Sequence, residues 1–499
     1  MNSRPVFFRI SRNRRKAASA PAMRPKALSG SIAKYSRGLV LSALALIGAS
    51  QAPGATYYWD ADGSTTAATG GTGNWDTSSS LWRLGSATGT LGTWTNSSTD
   101  GVVFGGTAGT VTLNTAITAN SLTFTTASYT IDGAQTLTLN GTTPTITVTS
   151  GAGATTLGGN ASFRLVASGL TVAGGGNLSL SAASTAVYAD LTGGITVNGA
   201  RLDIDNSTAS DYIPTSNSLT LNGGQLFNNA VNVASKSQTW NGLTVSGGSS
   251  VTSFAYGASA GANTTFTVAL GGITRASSGA ILFQRLGGGG SGGGSFGTHT
   301  TTTINTNGIL GPWALYQEAS VDTYAPDNSW RYAVGSTAGA ATTITSFAGS
   351  TVTNADSFAS NTTNYNFSGA VTLTASRSAY TARYTGTTNS TTTIPSGMTL
   401  TLDGLLNGGT STGGTTNIPN SSVLTIASAG TGALAIGSTN ELVVTAGVNN
   451  ITISAPITGG SASGGLTIMG YNSSSLVTLS GANTYSGKTT INAGTLVIG

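Results

Sequence analysis

Cysteine is absent from this 499-residue chain. That excludes a disulfide framework, thiol nucleophiles and thiolate metal sites. Charge is also scarce: Asp, Glu, Lys and Arg make up 7% of the residues, against roughly 25% in ordinary globular proteins. The single histidine, His299, leaves zinc without a ligand set. No long stretch repeats its apolar residues at the 3.6-residue period of a helix. Beyond residue 55 no apolar run is long enough to span a bilayer as a helix. What the chain has instead is 72 Gly and an excess of Ser, Thr and Asn. Low charge argues against charge-driven disorder, and the mixture suits an all-β protein with many turns and a surface of hydroxyls and amides.

Positive charge is concentrated at the start. Ten of the 20 Lys and Arg lie in the first 38 residues, which hold no Asp or Glu. The apolar run Leu39 to Ile47 follows, with the length of a signal-peptide core. Residues 1–55 therefore read as an export signal, cleaved near Ala55, with Arg14-Arg15 as a weak twin-arginine echo. Its removal leaves 10 basic against 15 acidic residues, a net charge of −5. Nucleic-acid binding then has no electrostatic support.

The last stretch, Leu479 to Gly499, alternates apolar residues with Thr or Asn in short pieces divided by Gly, Asn and Ser turns. So short a unit buries its apolar face only by stacking on copies of itself. Leu479, Ser480, Gly481, Asn483, Thr484, Tyr485, Gly487, Thr489, Thr490, Ala493, Gly494, Thr495 and Leu496 resemble the autotransporter-associated β-strand repeat of bacterial secreted proteins. The chain ends at Gly499 inside a repeat, which predicts a fragment or an incomplete reading frame.

The body of the chain is periodic. Apolar-Thr-apolar triplets occur at Leu122-Thr123-Phe124, Ile146-Thr147-Val148, Leu170-Thr171-Val172, Ile195-Thr196-Val197, Leu219-Thr220-Leu221, Leu243-Thr244-Val245 and Phe266-Thr267-Val268, in steps of 24, 24, 25, 24, 24 and 23. Several run on into a turn, as at Asn198-Gly199, Asn222-Gly223 and Ser246-Gly247. The spacing predicts a right-handed parallel β-helix, a β-solenoid of about 24-residue coils. One outward column should hold all seven Thr. Residues 56–104 carry Trp59, Trp75, Trp82 and Trp94. They read as an N-terminal cap closing the first coil, or else as a carbohydrate-stacking platform. Residues 105–499 are the repeats, interrupted at about 270–370 by a loop-rich insertion with a Gly-rich run from Gly287 to Ser295 and the aromatics Trp313 and Trp330. Looser triplets return at Val371, Leu400, Leu424, Ile451 and Val477. One elongated unit is expected.

Chemistry has few candidates. Asp203 and Asp205 share a strand face and could form an acid/base or calcium pair. Asp60-Ala61-Asp62-Gly63 echoes a calcium loop, but its twelfth position is Gly71 rather than Glu. His299 stands alone, no nucleophile elbow is present, and Gly70-Gly71-Thr72-Gly73 lacks a phosphate-loop Lys. No catalytic, cofactor-binding or metal-binding residue is assigned. The resemblance implies a secreted or cell-surface adhesin-like passenger, a rigid stalk without enzymatic activity. Its partners would be the export machinery and surface glycans or other cells. The alternative is a polysaccharide-binding or polysaccharide-degrading β-helix.

Overall fold

The alternation read from the sequence becomes a ladder of short parallel strands. In Ser121–Phe124, Leu122 and Phe124 are buried while Thr123 faces outward; Thr145–Val148 and Leu219–Asn222 repeat the pattern. The computed structural model describes residues 54–499, apart from 65, 152, 182–183, 232–234, 257–264, 277, 289–295, 320–325, 410–421, 448 and 471–474. All but the end of the expected export signal, and most of the Gly-rich run, lie outside the described residues.

Each coil visits three positions. Ser121–Phe124 stacks under Thr145–Val148, Thr130–Asp132 under Thr155–Leu157, and Thr136–Leu139 between Ile117–Ala119 and Arg164–Ala173, all in parallel. The chain is a β-solenoid. Its first column pairs Thr123 with Thr147, Thr171 with Thr196, Thr196 with Thr220 and Thr220 with Thr244. Two details depart from the triplet spacing. Between the second and third members the register shifts by two residues, so Thr171 lies beside Thr145 and Thr147 beside Ala173. An even shift keeps every apolar residue inward and is therefore tolerated. Thr267 does not belong to the column. It lies in Thr265–Ala269, between Ser237 and Thr298, and the column continues at Thr274. All three strands of a coil share one alternation, so a triplet alone cannot say which column holds it. Leu400 is likewise off the column of Leu424, Ile451 and Val477, which instead takes in Ser390–Ile394.

Turns carry their own ladder. Gly199 and Gly223 adopt φ of 63° and 67°, a left-handed conformation that glycine reaches without a Cβ clash. Beside them the Asn222 amide donates to Asn198 at 3.0 Å and the Ser246 hydroxyl to Asn222 at 3.2 Å, tying successive coils outside the core.

The N-terminal segment closes the stack. Thr56–Trp59 pairs in parallel with Gly101–Phe104 and antiparallel with Trp82–Leu84, so a hairpin-like return covers the edge that the first coil would expose. The four Trp rings fill the open cross-section and are 0–2% exposed. Trp75 lies 5.0 Å from Trp82, 5.5 Å from Trp94 and 5.7 Å from Phe104 between ring centroids. Beneath them the buried Arg83 and Asp60 pair at 2.7 Å.

One elongated unit was expected; the described residues instead form two stacks lying side by side. One core runs from Tyr57 to Ile344 and a separate one from Ala355 to Leu479. The turnaround is where the triplets lose register: Ala314–Ala319 and Pro326–Val334 pair antiparallel. A third apolar cluster joins the stacks, with Leu282, Leu315, Trp330 and Tyr332 meeting Tyr380, Leu406 and Met469. Gly404 faces Pro312, Glu441 faces Arg275, and Asn492 reaches Ser278. The stacks therefore run in opposite directions. Accordingly, strands of the second stack stop alternating where the first covers them: in Glu441–Ala446 every residue after Glu441 is buried.

Candidate functional site

The four Trp of the cap could serve as a carbohydrate platform only if they faced solvent, and all four are buried. The carboxylate candidates are also committed. Asp203 and Asp205 do share the outer face of Arg201–Asp205. Asp203, however, accepts from Arg201 Nε at 2.5 Å and from Asn177 Nδ2 at 2.8 Å, while Asp205 accepts from the Ser207 backbone at 3.0 Å. Asp60 is held by Arg83 and by the Thr69 hydroxyl, and Asp62 accepts from the Ser64 backbone. Among the described residues no three His, Asp or Glu side chains gather as a metal site would require. Nor is any helix among them long and apolar enough to cross a membrane.

His299 is 1% exposed, in Phe296–Thr301, with its ring 5.8 Å from Phe283. Burial, with the Arg285 charge, pushes its pKa down to about 3. The Val251 backbone offsets little of this, since neither ring nitrogen reaches hydrogen-bonding geometry with a described group. A neutral, enclosed imidazole is a core residue, shielded from solvent.

Among the described residues a concavity lies beside these candidates, and the sequence did not reveal it. Where the second stack leaves the first uncovered, a groove of about 470 Å³ opens, within the size range of small-ligand sites. Its floor is the outer face of four consecutive strands, Arg201–Asp205, Gln225–Val231, Gly248–Tyr256 and Ala280–Gly288. Register places Asp203, Phe227, Thr252 and Gln284 in one outward row, and Arg201, Gln225, Ser250 and Leu282 in the next. Met469, Gly470 and Ala493 form the wall contributed by the second stack, and Trp330 lines the same groove. The Arg201 guanidinium lies 4.3 Å from the Phe227 ring centroid. Thr252 donates to the Gln284 amide oxygen at 3.1 Å, and Gln284 Nε2 donates to Gln317 at 2.9 Å. The signals available in the sequence were faint. They were an Arg two residues before an Asp in a charge-poor chain, and the doubled apolar residues Leu405-Leu406 and Val443-Val444, which mark strands covered on both faces.

The passenger-associated-transport-repeat family model matches residues 170–204 and 476–498, one segment in each stack. The first takes in all or part of four strands, Arg164–Ala173, Asn177–Ser181, Leu191–Asn198 and Arg201–Asp205, and includes Arg201 and Asp203. The second covers Leu476–Leu479, Ser486–Ile491 and Thr495–Ile498. Over 118 residues, 22% of the chain, the sequence is 39% identical to the adhesin BmaC autotransporter of Brucella suis biovar 1 (strain 1330). That stretch amounts to 3% of the relative's length. No solved structure matches the chain significantly. Strand stacking and repeat matches agree: this chain is a β-solenoid that carries passenger-associated transport repeats in both of its stacks, and part of it is similar to an autotransporter adhesin.

Proposed function

We propose that the chain is the rigid, surface-displayed part of an adhesin-like autotransporter passenger, without catalytic activity of its own. The observation that carries this reading is the transport-repeat match in both stacks. The adhesin relative supports it, although the chain spans only a small fraction of that protein. Residues 1–55 act as the export signal, and the mature protein, with its net charge of −5, lies outside the cell. A solenoid of hydroxyl-faced coils gives a stiff support with few charges to attract bulk polyions.

The test is display. The chain, joined to an outer-membrane translocator barrel, should reach the cell surface with its leader removed near Ala55. It should also increase attachment of those cells to a host-cell or glycan-coated layer. Surface display without any gain in attachment would remove the adhesin-like role, and retention in the cytoplasm would remove the export reading. A second reading, binding of a polysaccharide in a groove, is favoured by the concavity between the stacks; cleavage of that polysaccharide has no free carboxylate pair to support it among the described residues, where Asp203 and Asp205 are already hydrogen-bonded.

A further inference from the structure

Among the described residues that line the groove between the stacks, Arg201 is the one cation, and it is prepared rather than idle. Arg201 is anchored through Nε to Asp203, which is itself fixed by Asn177, and its guanidinium lies against the Phe227 ring. Both terminal amino groups remain without an acceptor among the described residues, and the side chain is 39% exposed. A planar guanidinium locked by stacking and by one ion pair offers its other edge to a carboxylate at little entropic cost.

Its surroundings narrow the ligand further. Gln225 is exposed and its amide has no partner among the described residues, and Ser250 and Gln284 follow on adjacent strands. Parallel strands set Gln225 and Ser250 about 4.8 Å apart, a step comparable with one sugar ring, and Gln284 lies one strand further on in the neighbouring outward row. An extended peptide would present like-facing residues only about every 6.6 Å. The floor is also a sheet face whose backbone is paired on both sides. A peptide strand therefore has no edge to extend by backbone pairing. Phe227, Leu282 and Met469 supply apolar area beside the polar row. We infer that this groove binds a short carboxylate-bearing oligosaccharide, with Arg201 on the carboxylate and Gln225 and Gln284 on ring hydroxyls. The inference rests on the adhesin-like reading and names the ligand class of that surface.

Trigalacturonate, the neutral galactotriose and tri-glutamate are titrated into the purified chain by calorimetry. Trigalacturonate should bind saturably, and galactotriose about tenfold more weakly or less. Arg201→Gln should weaken trigalacturonate by about tenfold while leaving the unfolding midpoint in place. Arg201→Lys should recover only part of that loss, because it keeps the charge and loses the fork. Gln225→Ala, at an exposed site with no fold contact to lose, gives an independent reading and should also weaken binding. Absence of saturable trigalacturonate binding, indifference to Arg201→Gln, or tri-glutamate binding as tightly would each overturn the assignment. If Arg201→Gln loses trisaccharide but displayed cells still attach, the ligand assignment stands and attachment runs through another surface. If wild-type cells fail to attach while trisaccharide binding persists, only the adhesin-like reading falls.

Discussion

Arg275 and Glu441 stand 166 residues apart in the chain and form a bidentate ion pair across the two stacks, at 2.5 and 2.9 Å. The pair is largely enclosed, with side-chain exposures of 18% and 12%. Neither partner is spared for other work. Arg275 also donates to the Gly279 carbonyl and lies 5.7 Å from the Trp313 ring, and Glu441 accepts from the Thr467 hydroxyl. This knot ties the last regular coil of the first stack to the middle of the second. It bears directly on how the stacks stay together.

Removing one member leaves the other charge in a shielded seam. Arg275→Met and Glu441→Leu are each expected to cost about 3 kcal/mol, and the two together less than the sum of the single losses. Denaturant titration of the four proteins in a double-mutant cycle measures the coupling. Additive losses would mean that the pair does not hold the seam.

Gly404 sets how closely the stacks approach. A Cβ there would stand 2.9 Å from Pro312 Cβ and 3.0 Å from Thr381 Cγ2 and the Tyr332 hydroxyl. Gly404→Val should wedge the seam at a cost of about 1–3 kcal/mol. Hydrogen exchange should rise in the strands facing the seam, Ala314–Ala319 and Thr399–Asn407, and stay unchanged in the cap. Uniform exchange across the protein would contradict a local wedge.

The cap is a stability element. Trp75→Ala should cost about 3–5 kcal/mol, since the ring is wholly buried among Trp82, Trp94 and Phe104. Trp75→Phe should cost clearly less, because the indole N–H has no partner among the described residues and its loss leaves nothing unsatisfied. Thermal melts of both variants decide it; equal losses would argue against packing as the cap's contribution.

His299 makes stability depend on pH. The folded chain keeps the ring neutral down to about 3, while the unfolded chain takes up a proton below its ordinary 6.5. The contribution is therefore fully present above pH 6.5 and shrinks by about 1.4 kcal/mol per pH unit as pH falls from there toward 3. His299→Phe should flatten the stability curve across that window. An unchanged slope would place the titrating group elsewhere.

The sequence by itself determined the coil. Alternating apolar and Thr residues fix which side of each strand is inside, and their spacing near 24 residues fixes stacking on copies, because a unit that short buries nothing alone. The burial of the cap was legible for the same reason: four Trp just ahead of the first triplet had an open apolar end to cover. Tertiary structure decided which column each triplet joins, as Thr267 and Thr274 show, since all three strands of a coil obey one alternation. It also decided that the solenoid turns back on itself. That contact joins residues as remote as Ser278 and Asn492, and no local period encodes it. The groove of Arg201, Phe227 and Gln284 exists only because the second stack stops short of covering that sheet face. A site made by the alignment of two stacks has no motif, since its residues come from separate coils that are each, taken alone, ordinary repeat positions.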